Sequence, residues 1–229
     1  MRLSSASRQV FGLQSSIRDY AGEPRNSVRD YRSGRVEYLV LKRLFDIVVS
    51  LALLVLLSPL FVLVALAIKF STGGSVFFSQ ERVGMNGRRF WIYKFRTMIS
   101  ACKLISDTHW SHPQDERITQ VGRFLRRSSL DELPQLLNVL LGDMSLVGPR
   151  PERPHFVEIF RHEVPQYVLR QSIKCGITGW AQVNGWRGDT SIYKRLEHDL
   201  YYLRNWHFWF DVKILLLTLL RGYNHPNAS

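Results

Sequence analysis

Cysteine is scarce in this chain, which has only Cys102 and Cys175 among its 229 residues. Two cysteines form neither a disulfide framework nor a metal cluster, and they suit a reducing compartment. A secretory signal peptide is also missing, because the first long apolar run starts too late, is too long and has no small-residue cleavage site close by. These absences argue against a small secreted scaffold.

Acidic residues are outnumbered, with 19 Asp and Glu against 31 Lys and Arg, and the formal net charge is +12. Such an excess predicts an anionic partner, namely nucleic acid, anionic lipid head groups or a phosphorylated substrate. No nucleic-acid-binding motif is present, so nucleic acid is not an expected partner. Membrane lipids and a phosphorylated substrate remain.

The first 36 residues lack a sustained apolar period and are rich in Ser, Arg and Gly. This composition predicts a disordered, basic tail at residues 1–36 that lies near the membrane surface.

Charge is absent from residues 47–68, IVVSLALLVLLSPLFVLVALAI. These 22 residues exceed the ~20 that a helix needs to cross a hydrocarbon core, and soluble core helices rarely run so long without a polar face. Ser58 and Pro59 lie at the midpoint, where proline should kink or break the helix. Both flanks are basic, with Lys42 and Arg43 before the run and Lys69 after it, so neither end is marked for export.

Two topologies therefore remain open. The segment at residues 37–70 is either a re-entrant helix that turns at Ser58-Pro59 and leaves by the face it entered, or an ordinary span. In both cases residues 71–229 are predicted to form a separate domain on the cytoplasmic side.

The rest of the chain predicts a mainly α fold with one small β-hairpin. Aromatic runs at residues 76–78 and 90–95 flank the turn GMNG and indicate the hairpin, with an irregular aromatic loop as the alternative. Residues 130–141, 154–171 and 191–203 are predicted helices, and residues 177–190 a loop. Residues 206–220 predict a helix lying in the membrane interface, with packing on the soluble core as the alternative.

The pair Asp131-Glu132 is the candidate catalytic feature. Pro134 is predicted in the first turn of a helix, which places both carboxylates at the helix entrance. The structural alternative is a capping box formed by Ser129 and Glu132. Adjacent carboxylates among many cations suit Mg²⁺, which binds one or two carboxylates plus substrate phosphates. A carboxylate can also act as a nucleophile. Arg150, fixed between two prolines, suits phosphate binding.

Seven ordered motifs resemble those of the bacterial sugar transferases, the monotopic polyprenyl-phosphate phosphoglycosyl transferases of exopolysaccharide synthesis. They are KRLFD at residues 42–46, SP at 58–59, QERVG at 80–84, KFRTM at 94–98, LDELPQ at 130–135, GDMSLVGPRP at 142–151 and GITGWAQVNG at 176–185. The resemblance covers nearly all of the chain after residue 41. Relatives commonly have Pro where this chain has Cys175, and the larger ones have further N-terminal spans, so a compact form is expected.

The resemblance implies transfer of a sugar 1-phosphate from a UDP-sugar to undecaprenyl phosphate. Asp131 would be the nucleophile, Asp131 and Glu132 would hold Mg²⁺, and Glu132 would assist the acceptor. Phosphate binding is expected from several cations, namely Arg96, Arg126, Arg150, Lys174 and Arg187. Residues 186–190, WRGDT, are similar to the hexose 1-phosphate branch, which favours UDP-glucose with UDP-galactose next.

The resemblance also implies a location, the bacterial inner membrane with the catalytic domain on its cytoplasmic face. A homodimer is compatible with the sequence, which does not fix the oligomeric state. The competing hypothesis is a membrane-tethered basic scaffold of a polysaccharide assembly complex that has no catalysis of its own.

Overall fold

The fold is taken from a computed structural model, which describes residues 36–99, 115–188 and 190–221. The predicted basic tail lies outside the described residues except for Val36, and so does Cys102.

The described residues form mostly α-helices. These are α1 (Val36–Leu56), α2 (Ser58–Thr72), α3 (Gln120–Arg127), α4 (Gln135–Leu141), α5 (Pro154–Glu163), α6 (Trp180–Val183), α7 (Ile192–Arg204) and α8 (Phe208–Arg221). The strands are β1 (Phe77–Val83), β2 (Arg89–Phe95), β3 (Ser145–Val147) and β4 (Gly176–Thr178). Three-residue-per-turn helical turns occur at Met85–Gly87, Leu130–Glu132 and Tyr167–Ser172. The predicted mainly α fold is confirmed.

The apolar stretch is two helices that meet at Leu57 with a bend of 60°. Proline has no N–H, so Pro59 cannot donate to the carbonyl of Val55 four residues earlier. The hydroxyl of Ser58 donates to that carbonyl instead, over 2.8 Å. Among the described helices, none is long and apolar enough to span a membrane alone, but the bent pair α1–α2 has the length and composition to do so.

The bent pair has one covered side and one uncovered side. Val64 and Ile68 of α2 are buried against Phe95 and Leu125 of the rest of the domain. The opposite side exposes large apolar side chains, namely Leu44, Val48, Leu51, Val55, Leu56, Val62, Leu63, Leu66 and Phe70. Water would have to solvate this whole surface if nothing covered it.

The predicted hairpin is confirmed, so the alternative of an irregular aromatic loop is wrong. Strands β1 and β2 pair antiparallel from Phe77 opposite Phe95 to Val83 opposite Arg89. The turn between them places Asn86 and Gly87 at positive φ, which these two residue types tolerate best. A second, parallel pair between β3 and β4 was not predicted.

Two predicted helices are shorter than expected. Helix α5 ends at Glu163 because Val164 precedes Pro165, and the residue before a proline is pushed out of the α region. The predicted helix at residues 130–141 is divided into the Leu130–Glu132 turn and α4, with Pro134 directly before α4. Helix α7 confirms the prediction for residues 191–203.

The capping box and the predicted loop need correction. Ser129 has φ 55° and makes no side-chain cap bond, so the Ser129–Glu132 capping box is wrong. The predicted loop at residues 177–190 includes most of β4 and the short helix α6.

Helix α8 packs on the core through Phe210 and Ile214 but leaves Trp209 and Leu219 exposed. A buried ion pair joins it to α1, because Lys42 Nζ lies 2.6 Å from Asp211 Oδ2. The apolar helix pair is therefore tied to the C-terminal helix by charge as well as by packing.

Candidate active site

The candidate catalytic pair Asp131-Glu132, here called the dyad, lies where α4 meets the hairpin. The side-chain amide of Asn138 in α4 donates to the Trp91 carbonyl over 2.7 Å, and its oxygen accepts from the Tyr93 N–H over 3.0 Å. These bonds fix α4 beside β2. The Leu130–Glu132 turn, which precedes α4, is thereby brought to Lys94 of β2.

Glu132 is held by two cations. Lys94 Nζ lies 2.6 Å from Glu132 Oε1, and the guanidinium of Arg150 donates to both Glu132 oxygens. Burial alone would raise the pKa of the Glu132 carboxyl, but the charges and hydrogen bonds of Arg150 and Lys94 hold it well below its usual value. Glu132 is therefore an ionised carboxylate whose two oxygens are both occupied.

Asp131 has a different environment, although it is the next residue. Its side chain is only 8% exposed, and in the described part of the chain no hydrogen bond or ion pair reaches its carboxylate. Burial raises the pKa of the Asp131 carboxyl to about 6, against the opposing effect of the Lys94 charge. A buried, unpartnered carboxylate beside cations is suited to attack on an electrophile that brings its own negative charge.

The charge on Asp131 should cost stability, and this gives a testable prediction. The carboxyl has a folded-state pKa of about 6 against 3.8 for the free group, so the fold disfavours the ionised form. The cost is absent below pH 3.8, grows up to pH 6 and is complete above it, at up to about 3 kcal/mol. The variant Asp131→Asn should therefore be more stable than wild type at pH 7.5 in ligand-free unfolding experiments. The difference should vanish near pH 4, and an equal difference at both pH values would contradict the pKa.

Several of the predicted phosphate-binding residues surround the dyad. Arg150 contacts Glu132, and the charge of Arg126 lowers the pKa of Asp131. Arg126 Nε donates to Thr97 Oγ1 over 2.9 Å, which fixes the base of its side chain. Burial lowers the pKa of Arg187, and the charges of Arg150, Glu132 and Asp131 also act on it. Arg126, Arg150 and Arg187 thus lie within electrostatic reach of the two carboxylates.

Lys174 and Arg96 are placed against glycine turns. A Cβ atom at Gly142 would lie 3.7 Å from Lys174 Nζ and 3.5 Å from Arg43 Nη2. A Cβ atom at Gly74 would lie 2.5 Å from Arg96 Nη1, so that guanidinium rests on the turn after α2.

Lys94 and Arg82 make contacts at the site but were not among the predicted site residues. Lys94 was part of a motif but received no role, and the available signal was a single lysine within the mostly aromatic run at residues 90–95. Arg82 donates to the Pro151 carbonyl over 3.3 Å and to Gln80 Oε1 over 2.7 Å. It therefore supports the turn that carries Arg150.

The dyad has few carboxylate oxygens available to bind a metal ion. Within the described ranges, no group of three or more His, Cys, Asp or Glu side chains is placed to hold one. Glu132 has both oxygens engaged by cations, whereas the Asp131 carboxylate is available. Mg²⁺ is commonly held by one or two carboxylates plus substrate phosphates, so Asp131 fits Mg²⁺ that arrives with a diphosphate.

A buried carboxylate without a hydrogen-bond partner in the described structure, placed among cations on a domain attached to an uncovered apolar helix pair, is an arrangement suited to phosphate chemistry. The chain belongs to the bacterial sugar transferase family, whose model matches residues 37–225.

Three curated relatives illustrate the similarity. The UDP-glucose:undecaprenyl-phosphate glucose-1-phosphate transferase of Escherichia coli K12 is 45% identical over 222 residues, which cover 94% of this chain and 47% of the relative. A protein of the same name from Caulobacter vibrioides is 43% identical, over 85% of this chain and 74% of the relative. The UDP-N-acetylgalactosamine-undecaprenyl-phosphate N-acetylgalactosaminephosphotransferase of Aeromonas hydrophila is 43% identical, over 81% and 45%. The chain thus spans about half the length of the Escherichia and Aeromonas relatives.

Proposed function

We propose that the protein transfers hexose 1-phosphate from a UDP-sugar to undecaprenyl phosphate and so begins the synthesis of an exopolysaccharide repeat unit. The observation that carries this proposal is the contrast within the dyad. Asp131 is buried and has no hydrogen-bond or ion-pair partner in the described structure, whereas Glu132 is fully paired with Lys94 and Arg150.

The first half-reaction uses the free carboxylate. An Asp131 oxygen attacks the phosphorus that bears the sugar, the bond from that phosphorus to the bridging oxygen breaks, and UMP leaves. The sugar phosphate remains on Asp131 as an acyl phosphate. Arg126, Arg150 and Arg187 stabilise the negative charge on the phosphoryl oxygens as the bond changes.

In the second half-reaction an oxygen of undecaprenyl phosphate attacks the same phosphorus. The acyl phosphate bond breaks, Asp131 regains its carboxylate, and the lipid diphosphate sugar leaves. Glu132 keeps Lys94 and Arg150 oriented during both steps, because its two oxygens bind them before substrate arrives.

Mg²⁺ held by Asp131 and the donor diphosphate would neutralise phosphate charge and act as a Lewis acid. Glu132 would support binding of the ion indirectly, because its carboxylate offsets the positive charge of Lys94 and Arg150.

We favour UDP-glucose as donor, with UDP-galactose next. The relatives named for UDP-glucose support this choice, while the Aeromonas relative shows that similar identity accompanies another sugar. The test is release of UMP by the purified protein with undecaprenyl phosphate and each UDP-sugar in turn. UDP-glucose should give the highest kcat/KM. Absence of UMP release with every UDP-sugar would refute the proposed reaction and leave the scaffold hypothesis.

We place the uncovered side of α1 and α2 in the inner membrane, with residues 71–229 on the cytoplasmic side and α8 at the interface. Lipid tails would cover the exposed apolar side chains, and unpaired backbone groups are costly in lipid. The Ser58 hydroxyl donates to the Val55 carbonyl, which Pro59 leaves without its usual helical donor. This hydrogen bond suits a lipid environment. A re-entrant path also brings the dyad to the depth of the lipid phosphate.

The re-entrant path predicts that both flanks of the helix pair lie on one side of the membrane. Single cysteines at Ser4→Cys and Ser71→Cys should both be shielded from an impermeant maleimide in spheroplasts and labelled after permeabilisation. Cys102 should be replaced by Ser in this background. Cys175 can stay, because it is buried and burial raises the pKa of its thiol to about 12. Labelling of one site but not the other in intact spheroplasts would mean an ordinary span.

A further inference from the structure

The turn that carries Arg150 is held by its backbone carbonyls. Four consecutive carbonyls, those of residues 149–152, each accept one hydrogen bond. The donors are Gly176 N–H at 3.0 Å, Arg170 Nη2 at 2.9 Å, Arg82 Nη1 at 3.3 Å and Val83 N–H at 2.9 Å. Three donors belong to neighbouring strands, and the fourth, Arg170, binds the carbonyl of Arg150 itself.

Arg170 is a buried cation, only 5% exposed, in the helical turn Tyr167–Ser172. Its Nε lies 2.8 Å from Asp199 Oδ2, and its Nη1 donates to the Tyr167 hydroxyl over 3.0 Å. Asp199, on α7, is 2% exposed. All three nitrogens of the guanidinium are thus committed, and the group cannot rotate without breaking a buried ion pair.

The two prolines restrict this turn but do not fix ψ at Arg150, the angle that sets the direction of its carbonyl. Pro149 and Pro151 have fixed φ, and Pro151 restricts Arg150 to the extended region. That region still allows a range of ψ at Arg150, and ψ sets the direction of the Arg150 carbonyl. A donor held on that carbonyl fixes ψ and, with it, the direction in which the Arg150 side chain leaves the turn.

We propose that Asp199, Arg170 and Tyr167 are positioning residues that aim the Arg150 guanidinium at the donor phosphate. The inference rests on the proposed function, in which Arg150 binds that phosphate. The three residues act through the hydrogen bond from Arg170 to the backbone carbonyl of Arg150. A substitution in one of these residues should reduce the rate strongly although the residue lies away from the phosphate. A displacement of about 1 Å at a phosphate-binding group can cost about a hundredfold in rate.

The decisive variants are Asp199→Asn, which removes the charge and keeps the shape, and Tyr167→Phe, which removes only the hydroxyl. Each should lower kcat/KM for the UDP-sugar, by about 10- to 100-fold for Asp199→Asn and less for Tyr167→Phe. The control is Glu197→Gln, which removes a carboxylate charge from the same helix at a residue that pairs with Lys194 instead of Arg170. It leaves the contacts of Asp199, Arg170 and Tyr167 in place, so its kcat/KM should match wild type.

A double-mutant cycle separates positioning from general damage. In an Arg150→Ala background, Asp199→Asn should cause no further loss of kcat/KM, because the group it aims is gone. Additive losses, or unchanged kcat/KM in both single variants, would overturn the proposal. If Asp199→Asn does not fold, Tyr167→Phe is combined with Arg150→Ala in the same double-mutant cycle and tests the proposal instead.

Failure of the positioning role can be distinguished from failure of the proposed function. Failure of the function appears in wild type, as absence of UMP release with every donor. In that case the double-mutant cycle is measured on the affinity for inorganic pyrophosphate instead of kcat/KM. Binding of pyrophosphate is expected to depend on Arg150 but requires no turnover. Equal affinity of wild type and Asp199→Asn would overturn the positioning role in that case too.

Discussion

Replacing Asp131 with Asn is expected to abolish sugar phosphate transfer while the protein stays folded. The amide of Asn is a poor nucleophile and cannot form the acyl phosphate, so UMP release should fall by at least about a thousandfold. Folding should not suffer, because the buried charge is itself unfavourable in the ligand-free protein. The variant should therefore be inactive and, at pH 7.5, more stable than wild type, a combination that a misfolded variant cannot produce.

The measurement is mass spectrometry of protein quenched after mixing with UDP-glucose alone. Wild type should gain the mass of a hexose phosphate on the peptide that contains Asp131, and Asp131→Asn should gain none. The matched control is Asp143→Asn, the same chemical change just after the far end of α4, which should retain the adduct. Full UMP release by Asp131→Asn would remove Asp131 from the role of nucleophile.

Local features of the fold could be predicted from the sequence because their causes are local. The break in the apolar stretch follows from the missing N–H of Pro59, and the hairpin follows from two aromatic runs around the turn GMNG. The predictions of continuous helices at residues 130–141 and 154–171 were wrong because other local conformational preferences interrupt them. Pro165 ended α5, and the left-handed conformation of Ser129 rules out the capping box that was the structural alternative for Glu132.

The candidate site could be predicted only in part, because its members meet through tertiary contacts. Asp131, Glu132 and Arg150 were found from adjacent carboxylates and a proline-flanked arginine. The pairing of Lys94 with Glu132 depends on how Asn138 docks α4 onto β2, which no local pattern reveals. Arg170 was missed for the same reason, since its target is a backbone carbonyl 20 residues away in sequence.

Replacing Gly176 with Ala should unfold or severely destabilise the domain. A Cβ atom at this position would lie 2.1 Å from Gly148 N, 2.4 Å from Thr178 O and 2.6 Å from Val147 C. All three atoms are backbone atoms of the β3–β4 pairing and the turn toward Arg150, so no side-chain rotation can relieve the contact. The free energy of unfolding should fall by about 3 kcal/mol or more, at the upper end of overpacking effects.

The matched control is Gly84→Ala, because Gly84 also lies beside the Arg150 turn and has an ordinary φ of −110°. Its added Cβ would lie 3.2 Å from the ring of Phe90, which can shift by a few tenths of an ångström, and 3.6 Å from the Arg88 carbonyl oxygen, which is an ordinary van der Waals contact. Denaturant unfolding of both variants should show a small loss for Gly84→Ala and a large one for Gly176→Ala. Since the Gly176 N–H also binds the Pro149 carbonyl, any Gly176→Ala protein that still folds should lose donor kcat/KM as well. Wild-type stability of Gly176→Ala would mean that the β3–β4 backbones do not approach as described, and the fixed direction of Arg150 would lose its structural basis.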